Sequence, residues 1–337
     1  MFDILRRRTA APRLSLVASP FRAARRALLA ALAVLGLAPF ASWGCACGCG
    51  VFDVGTSQMF PSGAGGIAYL EYDGLNQNTN WHGGSRAPND DNSDKRIGTQ
   101  FYTAGVNYMF NHDWGVMVHV PYWNRYFKTD LGGGDIQEFH SASMGDLRLE
   151  AMYTGFSPDM STGVIFGVKL PTGDYTNPNF DRDTEIGTGS TDILLGAYHL
   201  GFIDSDGQWN WFAQGMYQRA VATRVATDPS SGLALDYRPG DEVDAALGIT
   251  YNFGQVGVFS KLALIGQAKG SVRARDTGGG AFNTDTGYER VVLAPGIEAD
   301  VGAFRFYGEV GVPVYQRVNG NQLVSPQLIK VLVGYSF

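Results

Sequence analysis

The stretch LIKVLVGYSF, residues 328–337, decides the fold. Every second residue in it is apolar or aromatic: Ile329, Val331, Val333, Tyr335 and Phe337. A repeat of two residues is the period of a β-strand, because successive side chains point to opposite faces. Such a strand belongs either in the core of a soluble β-sandwich or in a barrel wall with one face toward lipid. The rest of the chain distinguishes these two architectures.

Residues 1–44 predict a secretory signal peptide. Seven arginines precede the apolar run ALLAALAVLGLAPF (27–40), and the stretch ASWG (41–44) follows it. A basic region, a short apolar region and small residues before a cleavage site are the parts of such a signal. A membrane anchor is the less favoured alternative, since a spanning helix needs about 20 apolar residues. We expect the exported chain to begin near Cys45, with a Cys-containing periplasmic segment at 45–65.

The charge balance excludes a nucleic-acid partner. The whole chain has 26 basic and 32 acidic residues, and residues 1–44 hold seven of the basic and one of the acidic. Without them the chain has 26 − 7 = 19 basic and 32 − 1 = 31 acidic residues, a net charge of −12. Binding to nucleic acid needs a basic surface, which this composition does not provide.

Alternation of apolar and polar residues recurs along the exported chain. In GDLRLEAMY (145–153), Leu147 and Leu149 share one face while Arg148 and Glu150 share the other. Segments of this kind predict twelve β-strands, near 66–73, 96–110, 114–127, 145–156, 161–171, 190–202, 209–221, 241–253, 256–269, 288–301, 304–317 and 327–337.

The connections between these strands alternate between short and long. Short ones are predicted at 111–113, 157–160, 203–208, 254–255 and 302–303, and long ones at 74–95, 129–143, 172–189, 222–240, 270–287 and 318–326. Short periplasmic turns, long external loops and an even strand number are typical of outer-membrane barrels. The sequence therefore predicts an all-β protein: a transmembrane antiparallel up-and-down β-barrel of about twelve strands over residues 66–337, in the bacterial outer membrane.

Aromatic residues mark one end of the predicted strands. The pairs are Tyr108 with Phe110, Tyr251 with Phe253, Tyr335 with Phe337, Trp209 with Trp211, and Phe304 with Phe306. All lie at the short-turn end on the outward-facing parity, where amphipathic rings collect at the membrane–water boundary. The end of the last strand, with Val333, Tyr335 and Phe337, resembles the assembly signal of outer-membrane proteins. It implies the barrel-assembly machinery and outer-membrane lipid as partners.

Four motifs resemble one family of outer-membrane barrels. They are HVPYW (119–123), GDLRLEAMY (145–153), GVKLPTGDYTN (167–177) and GTGSTDILLGAYH (187–199). The sequence is similar to the "transporter" family named for a meta-pathway of phenol degradation, most clearly over residues 96–200. The resemblance implies an outer-membrane barrel, and the family's name suggests an association with aromatic compounds.

Charged residues of the inward-facing parity are predicted to line the lumen. They are Asp146, Arg148, Glu150, Lys169, Asp192, Asp244, Lys261, Lys269, Arg290, Glu298, Asp300, Arg305, Glu309 and Lys330. Seven are acidic and seven basic, so they form either a salt-bridged support or a pore lining with little charge selectivity. Because a charge in a low-dielectric wall needs a partner, we expect Arg148 to contact a carboxylate across the lumen.

Other polar residues give weaker indications. The loop acids Asp90, Asp91, Asp94, Asp181, Asp183 and Glu185 are interpreted as a solvated surface, with a divalent-cation site as the alternative. His119 is expected to face the lumen and His199 to face outward, and the five histidines form no metal-binding motif.

The three cysteines, Cys45, Cys47 and Cys49, all lie in the N-terminal segment. They are interpreted as part of a flexible N-terminal tail that has no functional role. Lipidation, an intermolecular disulfide and a soft-metal site are the alternatives.

The function predicted from these features is passive or facilitated passage of small solutes, with hydrophobic or aromatic compounds as candidates. No catalytic residues and no cofactor are expected. Two alternatives stay open: an outer-membrane barrel enzyme of lipase or protease type, and a barrel that anchors a protein partner or a metal through the Cys-rich segment.

Overall fold

The structure is a computed structural model that describes residues 63–227, 234–281 and 284–337. The predicted signal peptide and the three cysteines lie outside the described residues. Within the described residues, no helix is long and apolar enough to cross a membrane.

Eighteen β-strands follow one another along the described chain. They are β1 (Gly65–Gln77), β2 (Thr79–His82), β3 (Ser85–Arg86), β4 (Asp94–Met109), β5 (Trp114–Asp130), β6 (Ile136–Met144), β7 (Leu147–Tyr153), β8 (Thr162–Leu170), β9 (Ser190–Phe202), β10 (Trp209–Thr223), β11 (Ala226–Thr227), β12 (Ala234–Leu235), β13 (Glu242–Val256), β14 (Phe259–Arg273), β15 (Tyr288–Val301), β16 (Phe304–Val318), β17 (Asn321–Val324) and β18 (Leu328–Ser336).

Thirteen of these strands form one antiparallel sheet that closes on itself. Its order is β4-β1-β18-β16-β15-β14-β13-β10-β9-β8-β7-β5-β6, and β4 also pairs with β5. Strands β6 and β7 both pair with β5, β6 along its external half and β7 along its other half. They therefore share one position in the wall, and the sheet is the predicted twelve-stranded barrel.

Several stretches that the sequence predicted as loops contain strands. Ile136–Met144 was expected to be part of a long loop but forms β6, which continues the hydrogen bonding of β5 beyond the break at Gly145 and Asp146. The sequence did not predict this strand because the segment is largely polar. It lacks the apolar alternation by which the other strands were recognised. Short strands also occur in the external loops, where β17, β2 and β3 form a small sheet and β11 pairs with β12.

The alternation predicted for residues 328–337 is present in the wall. In β18 the side chains of Leu328, Lys330 and Leu332 are buried, whereas Ile329, Val331 and Val333 are exposed. The exposed side chains of the other wall strands are also largely apolar, as in Leu264 and Val310. A closed sheet with an apolar outer surface is the form in which β-structure spans a membrane, because closure leaves no unpaired backbone edge.

The aromatic rings at the short-turn end contact one another from strand to strand. Ring centroids are 4.7 Å apart for Trp209 and Tyr251, 5.3 Å for Phe304 and Tyr335, and 6.2 Å for the stacked pair Tyr108 and Phe337. The main chain of Phe337 also exchanges two hydrogen bonds with Gly66, of 2.8 and 2.9 Å. This band of rings has the geometry of a membrane-interface girdle.

Candidate functional site

The inward face of the barrel contains every charged residue that the sequence assigned to the lumen. Asp146, Arg148, Glu150, Lys169, Asp192, Asp244, Lys269, Glu298, Glu309 and Lys330 are buried, and Lys261, Arg290, Asp300 and Arg305 are half-buried. Since these residues alternate along their strands with exposed side chains, the register brings them together inside the wall.

One group of ion pairs connects the first and last strands. Lys330 Nζ lies 2.7 Å from Glu71 Oε1 and 3.2 Å from Asp73 Oδ1. Glu309, which lies opposite Lys330 in the register, pairs with Lys269. The sequence interpretation missed Glu71 and Asp73, although their alternation with exposed Leu70 is the signal that could have identified them. This group closes the barrel seam with paired charges, which a low-dielectric interior requires.

A second group lies on β7, β8, β9 and β10. Lys169 Nζ is 2.9 Å from Asp192 Oδ2 and 3.4 Å from Asp146 Oδ2. Arg148 Nη2 donates to Gln218 Oε1 at 2.6 Å, and Gln218 Nε2 donates to Asp192 Oδ2 at 2.6 Å. Arg148 is thus linked to a carboxylate through an amide side chain, and Gln218 is a residue that the sequence did not indicate.

Residues 171–189, between β8 and β9, form the inward loop. Within it, Thr184 and Ile186 are buried, and Phe180 packs edge-to-face against Phe127 of the wall with centroids 5.5 Å apart. The wall residue Arg125, fully buried, donates from Nη1 to the main-chain carbonyls of Thr184 and Glu185, the latter at 3.0 Å. An external loop is therefore held against the inner surface of the barrel.

The two ends of the inward loop are tied together at the break in the wall. Asp146 accepts hydrogen bonds from the main-chain N–H of Gly173 at 3.0 Å and of Thr188 at 2.9 Å. A β-carbon on Gly173 would lie 2.7 Å from the Cα of Gly187, so only glycine allows this close approach. Asp146 therefore holds the two ends of the inward loop together in addition to facing the lumen.

Arg182 contacts both the main chain of the inward loop and two tyrosine rings. Its Nη2 donates to the carbonyl of Thr188 at 2.5 Å, and its guanidinium lies over the rings of Tyr237 and Tyr175, at 4.4 and 5.2 Å from their centroids. Tyr237 belongs to another external loop, and its hydroxyl donates to Asp276. Two external loops are thus joined at this point by stacking and hydrogen bonds.

The acidic residues of the loops do not all form the solvated surface that the sequence predicted. Asp90 and Asp91 are exposed, but Asp94, Asp183 and Glu185 are 1%, 2% and 5% exposed. The prediction was wrong for these three because it assumed that both predicted loops, 74–95 and 172–189, extend into solvent over their whole length. In the described part of the chain, no three His, Cys, Asp or Glu residues are arranged to hold a metal ion.

Two carboxyls of the inward loop have shifted pKa values. Burial raises the pKa of Glu185 to about 8, and Asp174 adds to the rise while Arg182 and Arg125 oppose it. Burial raises the pKa of Asp181 to about 6. Protonation of these groups therefore favours the inward position of the loop, because the neutral form costs less to bury.

On the side of the lumen formed by β4, β5 and β7 to β10, the inward face toward the short-turn end is apolar, whereas β14 to β16 carry the charged residues Lys261, Glu298, Asp300 and Arg305 there. Its buried cluster combines five methionines with three other side chains: Met109, Met117, Met152, Met160, Met216, Ile165, Leu194 and Tyr198. Met160 lies in the turn between β7 and β8 and has a positive φ of 56°, which is uncommon for a residue other than glycine. The sequence interpretation considered only charged residues of the inward parity and missed this section.

The two histidines singled out from the sequence lie on opposite faces of the wall. His119 is half-buried and packs against Tyr69 with ring centroids 6.1 Å apart. His199 is exposed on the outer face, and its Nδ1 lies 2.7 Å from the hydroxyl of Thr162. A lipase-type site would place a serine beside His199, and the hydroxyl found at this distance is that of Thr162.

Comparisons with known proteins agree with this architecture. The family model described as "Putative MetA-pathway of phenol degradation" matches residues 76–323. The COG4313 outer membrane channel from Pseudomonas putida F1 superposes with a TM-score of 0.64 at 15% identity, covering 85% of this chain and 100% of that one. No curated protein matches the sequence.

Two further solved barrels show weaker likeness. The β domain of the Bordetella autotransporter BrkA has a TM-score of 0.49 at 12% identity, covering 81% of this chain and 100% of that one. The toluene transporter TodX from Pseudomonas putida has a TM-score of 0.39 at 11% identity, covering 81% and 89%.

The family resemblance that the motifs indicated is confirmed, since the matched range includes all four motifs and most of the barrel. The fold is that of an outer-membrane β-barrel. The chain belongs to the family described as the MetA-pathway of phenol degradation.

Proposed function

We propose that the protein is an outer-membrane channel for small solutes, with the inward loop as its constriction. The observation that carries the proposal is the burial of this loop against the inner wall, where Arg125 binds the carbonyls of Thr184 and Glu185 and Asp146 binds the two ends of the loop. A loop of this kind narrows the lumen at the external side and can move without opening the wall. Passage would then depend on the position of the loop.

The lining favours small apolar or aromatic solutes over free ions. Charged groups on the inward face are engaged with one another, as Lys330 is with Glu71 and Asp73. Toward the short-turn end one side of the lining is the methionine cluster, whose flexible, polarizable side chains adapt to ligands of varied shape. The family's description, with its reference to phenol degradation, supports aromatic compounds as the solute class.

The assembly of the barrel is proposed to use its last strand. Val333, Tyr335 and Phe337 are exposed on the outer face at the girdle, where another protein can reach them. We propose that the barrel-assembly machinery recognises this aromatic strand and that the predicted signal peptide, residues 1–44, directs export beforehand. The charged lumen residues predicted from the sequence are proposed to support the wall and to line the route.

The test of the channel compares the whole protein with a variant whose loop is shortened by replacing residues 175–186 with a Gly-Ser linker. The ends of the loop are already adjacent at Gly173 and Gly187, so the barrel should close as before. We expect higher conductance in planar bilayers and faster entry of phenol into proteoliposomes. If neither protein passes ions or phenol, the channel proposal fails and an anchoring role becomes the better account.

A further inference from the structure

The outer wall carries a groove near the external ends of β18, β1, β4, β5 and β6. Its volume is about 430 Å³, and it opens outward from the barrel. Gly98 leaves space in its floor, the ring of Tyr72 lies over Gly74, and Arg96, Tyr126 and His140 are among the side chains that line it. This groove, called the outer groove below, is separate from the lumen, because these residues are on the outward parity of their strands.

Three tyrosines place the outer groove relative to the membrane. Tyr72, Tyr102 and Tyr122 are directly paired across β1, β4 and β5, and all face outward. A row of outward tyrosines at the external side is the position of a membrane–water interface. The groove extends from Tyr72 toward the external ends of the strands. The tyrosine row therefore places it beside the lipid headgroups of the outer leaflet.

The lining of the outer groove suits an anion that carries sugar hydroxyls. It contains no Asp or Glu, although the chain as a whole has a net charge of −6. Arg96 Nε donates to Asn76 Oδ1 at 2.8 Å, and its guanidinium lies 5.4 Å from the centroid of Tyr126. Among the described residues Arg96 forms no ion pair, so its remaining donors can bind a phosphate.

Neighbouring groups add hydrogen-bonding capacity and flat ring surfaces. The amide of Asn124 donates to Gln100 at 3.3 Å, and the ring of His140 packs on Tyr126 with centroids 4.9 Å apart. Both amides and both rings line the groove. Amides and hydroxyls bind sugar hydroxyl groups, and an aromatic ring offers an apolar face with a polar tip.

The opposite side of the barrel lacks this character. There, β13 and β14 pair Val243 with Val272 near their external ends, and these side chains are 49% and 55% exposed. The polar lining of the outer groove is therefore not repeated at this position on the opposite side.

We propose that the outer groove binds the phosphorylated sugar headgroup of a glycolipid in the outer leaflet. Arg96 contacts the phosphate, the amides of Asn124 and Gln100 bind sugar hydroxyls, and Tyr126 packs against the sugar ring. The acyl chains then lie below, along Tyr72 and the apolar wall. This binding is independent of the channel proposal, since it uses only the outside of the barrel.

The test uses the full-length mature protein, refolded in detergent free of bacterial lipid, and rough-type lipopolysaccharide as the probe. Affinity is measured by titration against wild type, Arg96→Gln and Gly98→Leu. A β-carbon on Gly98 would meet its nearest neighbour at 3.8 Å, so a side chain can be added there into the groove without displacing the backbone. Arg96→Gln should bind about tenfold more weakly, the loss expected when one charge-assisted hydrogen bond is removed. Gly98→Leu should also bind more weakly, because its side chain occupies the groove.

Arg317→Gln is the matched control, because Arg317 is an exposed arginine near the external end of β16. It should bind as wild type does, and lipopolysaccharide stripped of its phosphates should bind wild type as weakly as it binds Arg96→Gln. Equal affinity of all four proteins would overturn the proposal. Equal binding of phosphatidylglycerol micelles to wild type would also overturn it, since a sugar headgroup would then play no part.

Discussion

Arg125 of the barrel wall donates a hydrogen bond to the main-chain carbonyl of Glu185, at 3.0 Å, across a sequence separation of 60 residues. A charged side chain with no exposed surface is thereby used to hold an external loop inside the barrel. The same guanidinium reaches Thr99 on the neighbouring strand at 3.1 Å and lies 5.1 Å from the ring centroid of Trp123. The position of the inward loop thus depends on a residue that the wall itself fixes.

Replacing this arginine should release the loop. Arg125→Ala removes the hydrogen bonds to Thr184 and Glu185, each worth about 1.5–3 kcal/mol because the donor is charged. We expect higher mean conductance and more frequent transitions between levels in planar bilayers. The control is Arg317→Ala on the outer face, which should conduct as wild type does. Identical traces for Arg125→Ala and wild type would show that the loop does not limit the channel.

The position of the loop should also depend on pH. Burial raises the pKa of Glu185 from its ordinary value of 4.5 to about 8, so the packed loop binds a proton that the released loop loses more readily. The stability of the packed position is therefore complete below about pH 4.5 and falls as the pH rises toward 8. Asp181, with its pKa raised to about 6, acts in the same direction.

Conductance measured from pH 5 to pH 9 should accordingly increase with pH. In Glu185→Gln the side chain stays neutral at every pH, so most of the increase above pH 6 should disappear, and the low conductance of the acid state should persist. A wild-type protein whose conductance is flat over this range, or falls with pH, would contradict the assigned role of Glu185.

The parts that the sequence predicted are those set by local alternation. In β18 and β7 each residue's face follows from its neighbours two positions away, so the outward Val331 and the inward Lys330 could be assigned without knowledge of the fold. The girdle rings were predicted for the same reason. The break at Gly145 and Asp146 and the inward loop could not be, because they depend on contacts such as that between Arg125 and Thr184, 59 residues apart.

The same limit explains the acidic loops. Asp183 and Glu185 occur in a polar stretch whose composition resembles any solvated loop, and only the enclosing wall makes them buried. The methionine cluster was missed because five methionines on five separate segments show no pattern along the chain. Local sequence therefore predicted the wall and the parity of its charged residues, while the inward loop and the methionine cluster required the closed structure.

Removal of the last residue should impair assembly. Phe337 exchanges two main-chain hydrogen bonds with Gly66, and its ring stacks on Tyr108. Deleting Phe337 should lower the heat-modifiable barrel in the outer-membrane fraction severalfold. Deleting Gly133 should have little effect, because it lies in an exposed turn where even an added β-carbon would have no atom within 4 Å. Equal yields of the two deletions would remove the proposed role of the terminal strand.

Lys330 offers the sharpest test of whether the inward charges support the wall. Its ammonium group is buried between Glu71 and Asp73, at 2.7 and 3.2 Å. Lys330→Met keeps the length of the side chain but leaves two buried carboxylates without their cation, which should lower the free energy of unfolding by about 3–5 kcal/mol. Denaturant titration of the detergent-folded barrel, followed by the loss of heat-modifiable migration, measures this change.

Two further proteins make the result specific to burial. Lys128 and Glu138 form an exposed pair of the same length, 2.7 Å, so Lys128→Met makes the same chemical change where solvent screens the charges, and should cost less than about 1 kcal/mol. Combining Lys330→Met with Glu71→Gln and Asp73→Asn removes the unpaired charges and should restore most of the lost stability. If Lys330→Met and Lys128→Met lose equal stability, or if the combined variant is no more stable than Lys330→Met, the seam is held by backbone pairing and packing alone.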